Sequence, residues 1–293
     1  MNRSLLQLIV KIADTRSFTK SGQELNMTQP AVSRAVTTLE AELGVSLLIR
    51  DRRSGIQLTE VGERVIRIFR EILLHYEKVD QEVSREKGLE TGKVRIGAFP
   101  IASSYFIPRI IGQIAKFYPN IEFVIQEGTI AEIRGWMESR QIDAGFIIAT
   151  DEQPVNAATY PVYQEKMFAV MRDDNPLTDR EAITSNDLSR QPMIICRAGY
   201  EPPVMEWFQQ GGVKPIEKFI IHNYATALNL VREGMAAAIM SELSLINMPE
   251  RIVKRPLNPL GSREIQLAVP YPEDCSNAVR LFVETALTLF PNA

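Results

Sequence analysis

Polar side chains recur at helical spacing in TQPAVSRAVTTLEAELG, residues 28–44. At about 100° per residue, one face of a helix would carry small groups and a single cation: Pro30, Ser33, Arg34 and Thr37. The opposite face would be apolar: Val32, Val36, Leu39 and Leu43. Short side chains allow close approach to a surface, and Gln29 and Arg34 can form paired hydrogen bonds with adenine and guanine edges. This face therefore offers the chemistry of reading bases.

A second cationic group follows in LLIRDRRSGIQLT, residues 47–59. Two apolar runs flank a Ser-Gly turn, which predicts a hairpin with strands at 47–50 and 56–59. Arg50 lies in the first strand, and Arg52 and Arg53 lie at the tip. Arginines displayed in this way suit phosphates or a minor groove.

Hydroxyl groups mark two strand-to-helix turns further along the chain. Ser103, Ser104 and Thr129 lie near predicted helix starts, where hydroxyls and free N–H groups can hold a carboxylate or another anion. The alternative is that each residue only caps its helix. Thr129 with Glu132 fits a capping box in its own right, so both interpretations stay open here.

Local helix signals predict how the base-reading face is positioned. We expect the Thr28 hydroxyl to cap a helix that has Gln29 and Pro30 in its first turn and ends at Gly44. Ser17 can cap a preceding helix over FTKSGQEL, which a short Asn-Met link joins to the second. Two helices joined in this way are typical of a DNA-binding helix-turn-helix. The alternative is an ordinary helix pair on which Arg34 is a solvated surface residue.

A long helix is predicted over residues 58–88, with Thr59 as its cap and Gly88 at its end. Its apolar positions follow a nearly heptad spacing: Val61, Val65, Ile68, Ile72, Tyr76, Val79 and Val83. A polar helix with one narrow apolar stripe favours packing against a second copy of itself. Packing against its own domain is the alternative.

Residues 93–293 alternate short apolar segments with helical patterns. The predicted strands are 94–99, 121–126, 143–148, 166–171, 193–196, 217–222, 236–240 and 265–270. This alternation indicates a βαβ series with mostly parallel, buried strands. Sheets of this kind bind ligands at the carboxyl ends of their strands.

Composition limits the classes of function. The 293 residues are 45% hydrophobic and 24% charged, which is typical of a globular protein with more than one domain. The net charge is −3, yet residues 1–60 carry eight Lys or Arg against six acids, so the remainder carries −5. We expect no membrane segment, no signal peptide and a cytoplasmic location. Two separated cysteines and two histidines, His75 and His222, indicate no metal site, no cofactor and no catalytic residues.

The segment FTKSGQELNMTQPAVSRAVTTLEAELGVSLLIRDRRSGIQLTEVG, residues 18–62, resembles the N-terminal motif of LysR-type transcriptional regulators. It has the T-Q-P-A-x-S, L-E, L-G and L-T-x-x-G elements at matching spacing, and departs mildly at Ile49, where phenylalanine is usual. GKVRIGAF, FIPRIIGQIAKFYPNIEFVIQEGT, QIDAGFII and ALNLVREGMAAAIM are similar to the family's C-terminal domain. The resemblance covers the whole chain.

The resemblance implies an α/β protein with three parts. These are a winged helix-turn-helix at 1–58, a dimerising linker helix at 59–88, and an effector domain at 93–293 that resembles a periplasmic binding protein. Its two subdomains would comprise about 93–161 with 268–293, and about 162–267. The implied partners are double-stranded promoter DNA, a small-molecule effector for which an anionic metabolite is one candidate, RNA polymerase, and further copies in a dimer of dimers.

Site residues follow from the same matching. The DNA-binding set is Thr28, Gln29, Pro30, Ser33, Arg34, Thr37, Arg50, Arg52 and Arg53. The effector-binding set is Pro100, Ile101, Ala102, Ser103, Thr129, Tyr200, Glu201, Tyr224 and Thr226. Tyr200 and Glu201 indicate a ligand with a donor group or a partly blocked pocket, whereas Arg197 offers a cation. Cys196 beside this loop is a candidate redox sensor, or inert packing at a strand end.

Two other classes of protein compete with a regulator. A two-subdomain α/β enzyme is one, but the sequence lacks GxGxxG, a P-loop and a nucleophile elbow. A solute-binding protein is the other, against which the N-terminal module and the missing export signal argue. Salt-dependent DNA binding would distinguish the regulator from both.

Overall fold

The computed structural model describes residues 1–51, 55–86, 91–149, 156–197 and 201–291. The chain divides into two compact units. The first comprises Met1–Thr91 and Ser139–Gln141, and the second comprises Gly92–Glu138 and Ile142–Ala293. Each unit has its own hydrophobic core.

The N-terminal unit consists of helices and one hairpin: α1 (Arg3–Thr15), α2 (Phe18–Glu24), α3 (Gln29–Leu43), β1 (Leu48–Asp51), β2 (Gly55–Leu58) and α4 (Glu60–Glu86). Its core draws on all four helices and on β1. Ile9 and Ile12 of α1 and Val36 and Leu39 of α3 are fully buried, and Phe69 of α4 packs with them. The predicted helix pair and hairpin are therefore present.

The boundaries of α2 and α3 confirm most of the local signals. The Ser17 hydroxyl accepts from Lys20 N at 3.2 Å, and Gly44 ends α3 with φ of 69°. Two details were wrong. Thr28 precedes α3, but its side chain makes no capping hydrogen bond, and Leu43 is 40% exposed. Leu43 is the last residue of α3 and lies beyond the edge of the hydrophobic core.

The long helix α4 packs in part on its own unit. Thr59 Oγ1 accepts from Gly62 N at 2.8 Å and so caps the helix as predicted. Ile66 and Phe69, outside the predicted stripe, are buried in the core. Within the stripe, Val61, Val65 and Ile72 are half-buried, whereas Ile68, Tyr76, Val79 and Val83 are exposed. Gly88 lies outside the described residues.

The second unit contains ten described strands: β3 (Gly92–Ala98), β4 (Ile121–Glu127), β5 (Ala144–Ile148), β6 (Ala158–Arg172), β7 (Ile183–Thr184), β8 (Pro192–Cys196), β9 (Ile216–Ile221), β10 (Ala237–Ser241), β11 (Ile252–Asn258) and β12 (Ser262–Val269). All eight predicted strands are present. The sequence missed β7, β11 and the first half of β6.

Helices pack between and around these strands: α5 (Pro100–Tyr105), α6 (Ile107–Ile114), α7 (Ile130–Glu138), α8 (Ser185–Leu188), α9 (Glu201–Gln210), α10 (Tyr224–Arg232) and α11 (Asn277–Leu289). Within the described residues, no helix is long and apolar enough to cross a bilayer.

The strand order is β4-β3-β5-β12-β6-β10-β8-β9, with β11 also paired to β6. β4, β3 and β5 form one parallel set, which we call lobe I, and β9, β8 and β10 form a second, lobe II. The centre is different from the prediction, because β12, β10 and β11 all pair antiparallel with β6. β6 is long enough to pair with β12 over its first half and with β10 over its second, so it joins the two lobes.

Candidate nucleic-acid interface and effector cleft

The polar face of α3 lies in solvent. Gln29, Pro30, Arg34 and Thr37 are exposed, as is Thr28, whereas Ser33 is half-buried. Thr37 Oγ1 donates to the Ser33 carbonyl at 3.0 Å. Arg34 forms no ion pair with an acid that the structure describes. Its guanidinium is therefore available to another molecule.

The hairpin is attached to α3 through a residue that the sequence did not reveal. Glu40 Oε1 accepts from Leu47 N at 2.7 Å and from Leu48 N at 3.0 Å. In the antiparallel register, Leu48 pairs with Leu58 and Arg50 with Ile56. Glu40 thereby fixes the start of the hairpin relative to the helix, and both elements are displayed by one rigid unit.

The tip of the hairpin cannot be compared with its prediction. Arg52 and Arg53 lie outside the described residues, and for Arg50 only the backbone is described. Their contact with DNA stays a prediction.

In the second unit, a segment that follows a parallel strand of lobe I contacts a segment that follows a parallel strand of lobe II. α5 follows β3 in lobe I, and it contacts the 3-10 turn Glu242–Leu245, which follows β10 in lobe II. Carboxyl ends of parallel strands are where such folds bind ligands. This meeting place of the two lobes, which we call the cleft, thus has the position expected for an effector site.

The predicted residues on α5 differ in exposure. Ile101 and Ala102 are buried in the core, and Pro100 is half-buried. Ser103 is only 9% exposed, and its hydroxyl hydrogen-bonds to no residue that the structure describes. Ser104 is exposed and donates to the Ile101 carbonyl at 3.2 Å. Ser103 is therefore the α5 side chain with an unused polar group.

Thr129 and Glu132 form the capping box that the sequence allowed. Glu132 Oε2 accepts from both Thr129 N and Thr129 Oγ1 at 2.8 Å, and Thr129 Oγ1 accepts from Glu132 N at 3.3 Å. The hydrogen bonds from the Thr129 N–H and hydroxyl lower the pKa of Glu132, and the positive charge that His222 can carry lowers it further. His222 directly follows β9 of lobe II, whereas Glu132 lies on α7, which follows β4 of lobe I.

The α10 side of the cleft is organised by Asn223. Asn223 Oδ1 accepts from Ala225 N at 2.9 Å and from Thr226 N at 3.1 Å, so it caps the helix. Tyr224 is half-buried and Thr226 is exposed. Tyr200 lies outside the described residues, and for Glu201 only the backbone is described.

A buried ion pair lies where the lobes join, and the sequence analysis missed it. Arg263 of β12 pairs with Glu165 of β6 in the strand register, and both side chains have 0% exposure. Arg263 Nε donates to Glu165 Oε2 at 2.7 Å, and Leu243 N donates to Glu165 Oε1 at 2.9 Å. The guanidinium carbon lies 5.5 Å from the ring centre of Phe99, which directly precedes α5. One carboxylate thus connects β12 to the turn that lines the cleft.

The two cysteines lie in different surroundings. Cys196 is buried at the end of β8 in the hydrophobic core, and Cys275 is half-buried, with its Sγ donating to the Tyr271 carbonyl at 3.5 Å. Among the described residues, no three His, Cys, Asp or Glu side chains are grouped to hold a metal ion.

Comparison with known families decides between the classes of protein. Residues 4–63 match the bacterial regulatory helix-turn-helix protein, lysR family, and residues 87–291 match the LysR substrate binding domain. The chain belongs to the LysR family. It is accordingly a DNA-binding transcriptional regulator with an effector-binding domain.

Similar LysR-family proteins cover almost the entire chain. The HTH-type transcriptional regulator YvbU of Bacillus subtilis (strain 168) is 44% identical over 292 residues, 99% of each chain. Among solved structures, a full-length OxyR variant from Pseudomonas aeruginosa has a TM-score of 0.73 and 22% identity, covering 98% of this chain and 95% of its own. Full-length CbnR complexed with its target DNA has a TM-score of 0.66 and 18% identity, covering 98% and 99%. These structures support the fold over its full length.

Proposed function

We propose that this regulator reads promoter DNA with α3, contacts the backbone with its hairpin, and changes promoter activity when a small molecule binds in the cleft between lobes I and II. The three-part division at 1–58, 59–88 and 93–293 assigns DNA binding, assembly and effector sensing to successive segments. The effector-dependent step would act through contact with RNA polymerase in the cytoplasm. On this account the cleft binds its ligand without transforming it.

The exposed face of α3 is the observation that carries the DNA-binding part. A helix whose Val32, Val36 and Leu39 are buried must present its other side to solvent. That side carries Gln29 and Arg34, which can form paired hydrogen bonds with base edges, among side chains small enough for major-groove entry. A solvated surface helix would need neither group, and family membership favours the DNA-binding role.

The exposed half of the α4 stripe supports assembly. Ile68, Tyr76, Val79 and Val83 remain in solvent although the same helix buries Ile66 and Phe69 in its own unit. Packing on its own unit and packing against a second copy would therefore use different faces of α4. We infer that the exposed face packs against a second copy, and that a dimer of dimers is the assembled form.

The cleft chemistry restricts where an anionic effector would bind. Both donors of Thr129 already contact the Glu132 carboxylate. A ligand carboxylate at Thr129 would have to displace Glu132, and otherwise the two negative charges would repel each other. Ser103, whose hydroxyl is unused among the described residues, is the donor that such a ligand could engage without displacing a carboxylate. Pro100, Ile101, Ala102, Thr129, Tyr200, Glu201, Tyr224 and Thr226 remain proposed lining residues.

The DNA-reading role is tested by Arg34→Ala. Loss of one bidentate arginine contact should cost about 1–3 kcal/mol at the specific site while leaving non-specific affinity nearly unchanged. Footprinting on genomic sites bound by the unsubstituted protein measures the difference, with Arg67→Ala as a matched control because Arg67 is also an exposed arginine. An unchanged Arg34→Ala footprint would remove α3 from the base-reading role.

A further inference from the structure

The cations of the N-terminal unit fall into two groups. Several are neutralised by acids: Arg3 pairs with Asp80 at 2.8 Å, Arg64 with Glu60 at 2.5 Å, Lys11 with Glu24, and Arg70 with Asp14. In contrast, Arg16 and Lys20 are exposed and form no ion pair with any acid in the described residues. The nearby acids Asp14 and Glu24 are already engaged. Positive charge is therefore left uncompensated at the α1–α2 turn.

The backbone holds these two cations on either side of one turn. Arg16 ends α1 in the left-handed region at φ of 51°, and its N–H donates to the Ile12 carbonyl at 2.9 Å. Ser17 then caps α2 through Lys20 N, so Lys20 lies in the first turn of that helix. Because a cap orders each side of the turn, the backbone that carries the two cations is fixed by local structure.

This turn contacts the hairpin and leads into the helix that supports α3. The Arg16 carbonyl lies 4.0 Å from the position that a Cβ on Gly55 would occupy, and Gly55 is the β2 residue next to the hairpin tip. α2 packs so closely on α3 that a Cβ on Gly22 would lie 3.2 Å from Val32 Cγ2. Arg16 and Lys20 therefore lie on a segment that contacts both proposed DNA-binding elements.

We propose that Arg16 and Lys20 contact phosphates of the DNA strand beside the groove that α3 enters. Arginine and lysine are the usual phosphate ligands, and an exposed cation whose neighbouring acids are paired with other cations keeps its charge for this contact. The contacts carry no base specificity. They set the orientation of α3 in the groove, and together with the hairpin they hold the backbone. This proposal rests on the proposed DNA-binding function.

The test is the salt dependence of binding to a fluorescein-labelled duplex of arbitrary sequence. The slope of log K against log salt is negative, and each lost phosphate contact lowers its magnitude by about 0.9, so Arg16→Gln with Lys20→Gln should lower the magnitude by about 1.8. The ratio of unsubstituted to variant affinity should accordingly fall about 12-fold between about 50 and 200 mM salt. Fluorescence anisotropy on the full chain measures both quantities.

The matched control is Arg3→Gln with Lys11→Gln, which removes the same charge from cations that are already paired. Its slope should equal that of the unsubstituted protein. An unchanged slope for the Arg16 and Lys20 variant would overturn the assignment, as would an equal decrease in the control. If the unsubstituted protein showed no salt-dependent binding, the DNA-binding function itself would fail, and this outcome is distinct from the other two.

Discussion

Replacing Arg263 by methionine should destabilise the C-terminal unit by about 3–5 kcal/mol, because it leaves a fully buried carboxylate without its counter-ion. Glu165 has 0% exposure, and of its hydrogen bonds to described residues it would keep the one from the Leu243 N–H, at 2.9 Å. Both tryptophans, Trp136 and Trp207, lie in this unit, so urea unfolding followed by tryptophan fluorescence reports on it selectively.

The double variant Arg263→Met with Glu165→Gln separates an unpaired charge from lost packing. The amide that Glu165→Gln introduces would be neutral and could still accept from Leu243 N. We therefore expect at least half of the lost free energy to return, because a buried ion pair replaced as a whole costs far less than a broken one. If Arg263→Met lowered the free energy of unfolding by less than about 1 kcal/mol, which is well below the expected loss, this reasoning would be refuted. A double variant no more stable than the single one would also refute it.

Two further predictions concern assembly and the cleft. Val79→Glu with Val83→Glu should lower the mass measured by light scattering towards the 33.1 kDa monomer, because both valines lie on the exposed α4 stripe, whereas Glu63→Gln off the stripe should not. Thr129→Ala should lower the free energy of unfolding by about 1 kcal/mol at neutral pH, as is usual when a helix loses its cap. The pKa of Glu132 is lowered in the folded state, so its contribution is present above the ordinary glutamate pKa and is lost as pH falls through the lowered value. In urea titrations, the difference in free energy of unfolding between Thr129→Ala and the unsubstituted protein should become smaller below about pH 4. A difference that does not change with pH would contradict the role of Glu132.

Local sequence patterns predicted the positions of the helices and strands better than they predicted which strands pair with each other. Ser17, Gly44, Thr59 and the Thr129–Glu132 box act within a few residues, so the sequence reveals them directly. Thr28 has the right type and position for a cap but makes no side-chain hydrogen bond, because residue type alone does not set the hydroxyl's direction.

Two of the three missed segments contain proline, which weakens a strand pattern, whereas β7 has only two residues. Pro161 interrupts the first half of β6, and Pro256 lies in β11, where it pairs with Phe168. Proline is disfavoured inside sheets, so sequence reasoning rejects such segments, although their neighbours supply the pairing. The antiparallel centre of the sheet could not be inferred without them.

The part of the candidate site that lies on one helix face could be predicted from the sequence. The part that forms where distant segments of the chain meet could not. The exposed Gln29 and Arg34 follow from helical periodicity alone. The Glu165–Arg263 pair joins residues 98 apart, and nothing local distinguishes these charges from solvated ones. Only the β6–β12 register brings them together.

The central claim is that α3 of an assembled regulator reads a defined DNA sequence. Selection of bound duplexes from a random library by the full-length protein tests it directly, because the library contains every short sequence and no promoter has to be chosen. The account predicts enrichment of one sequence with two related half-sites, separated by about one helical turn or a multiple of it. Retention of library DNA with no enriched sequence would contradict the claim.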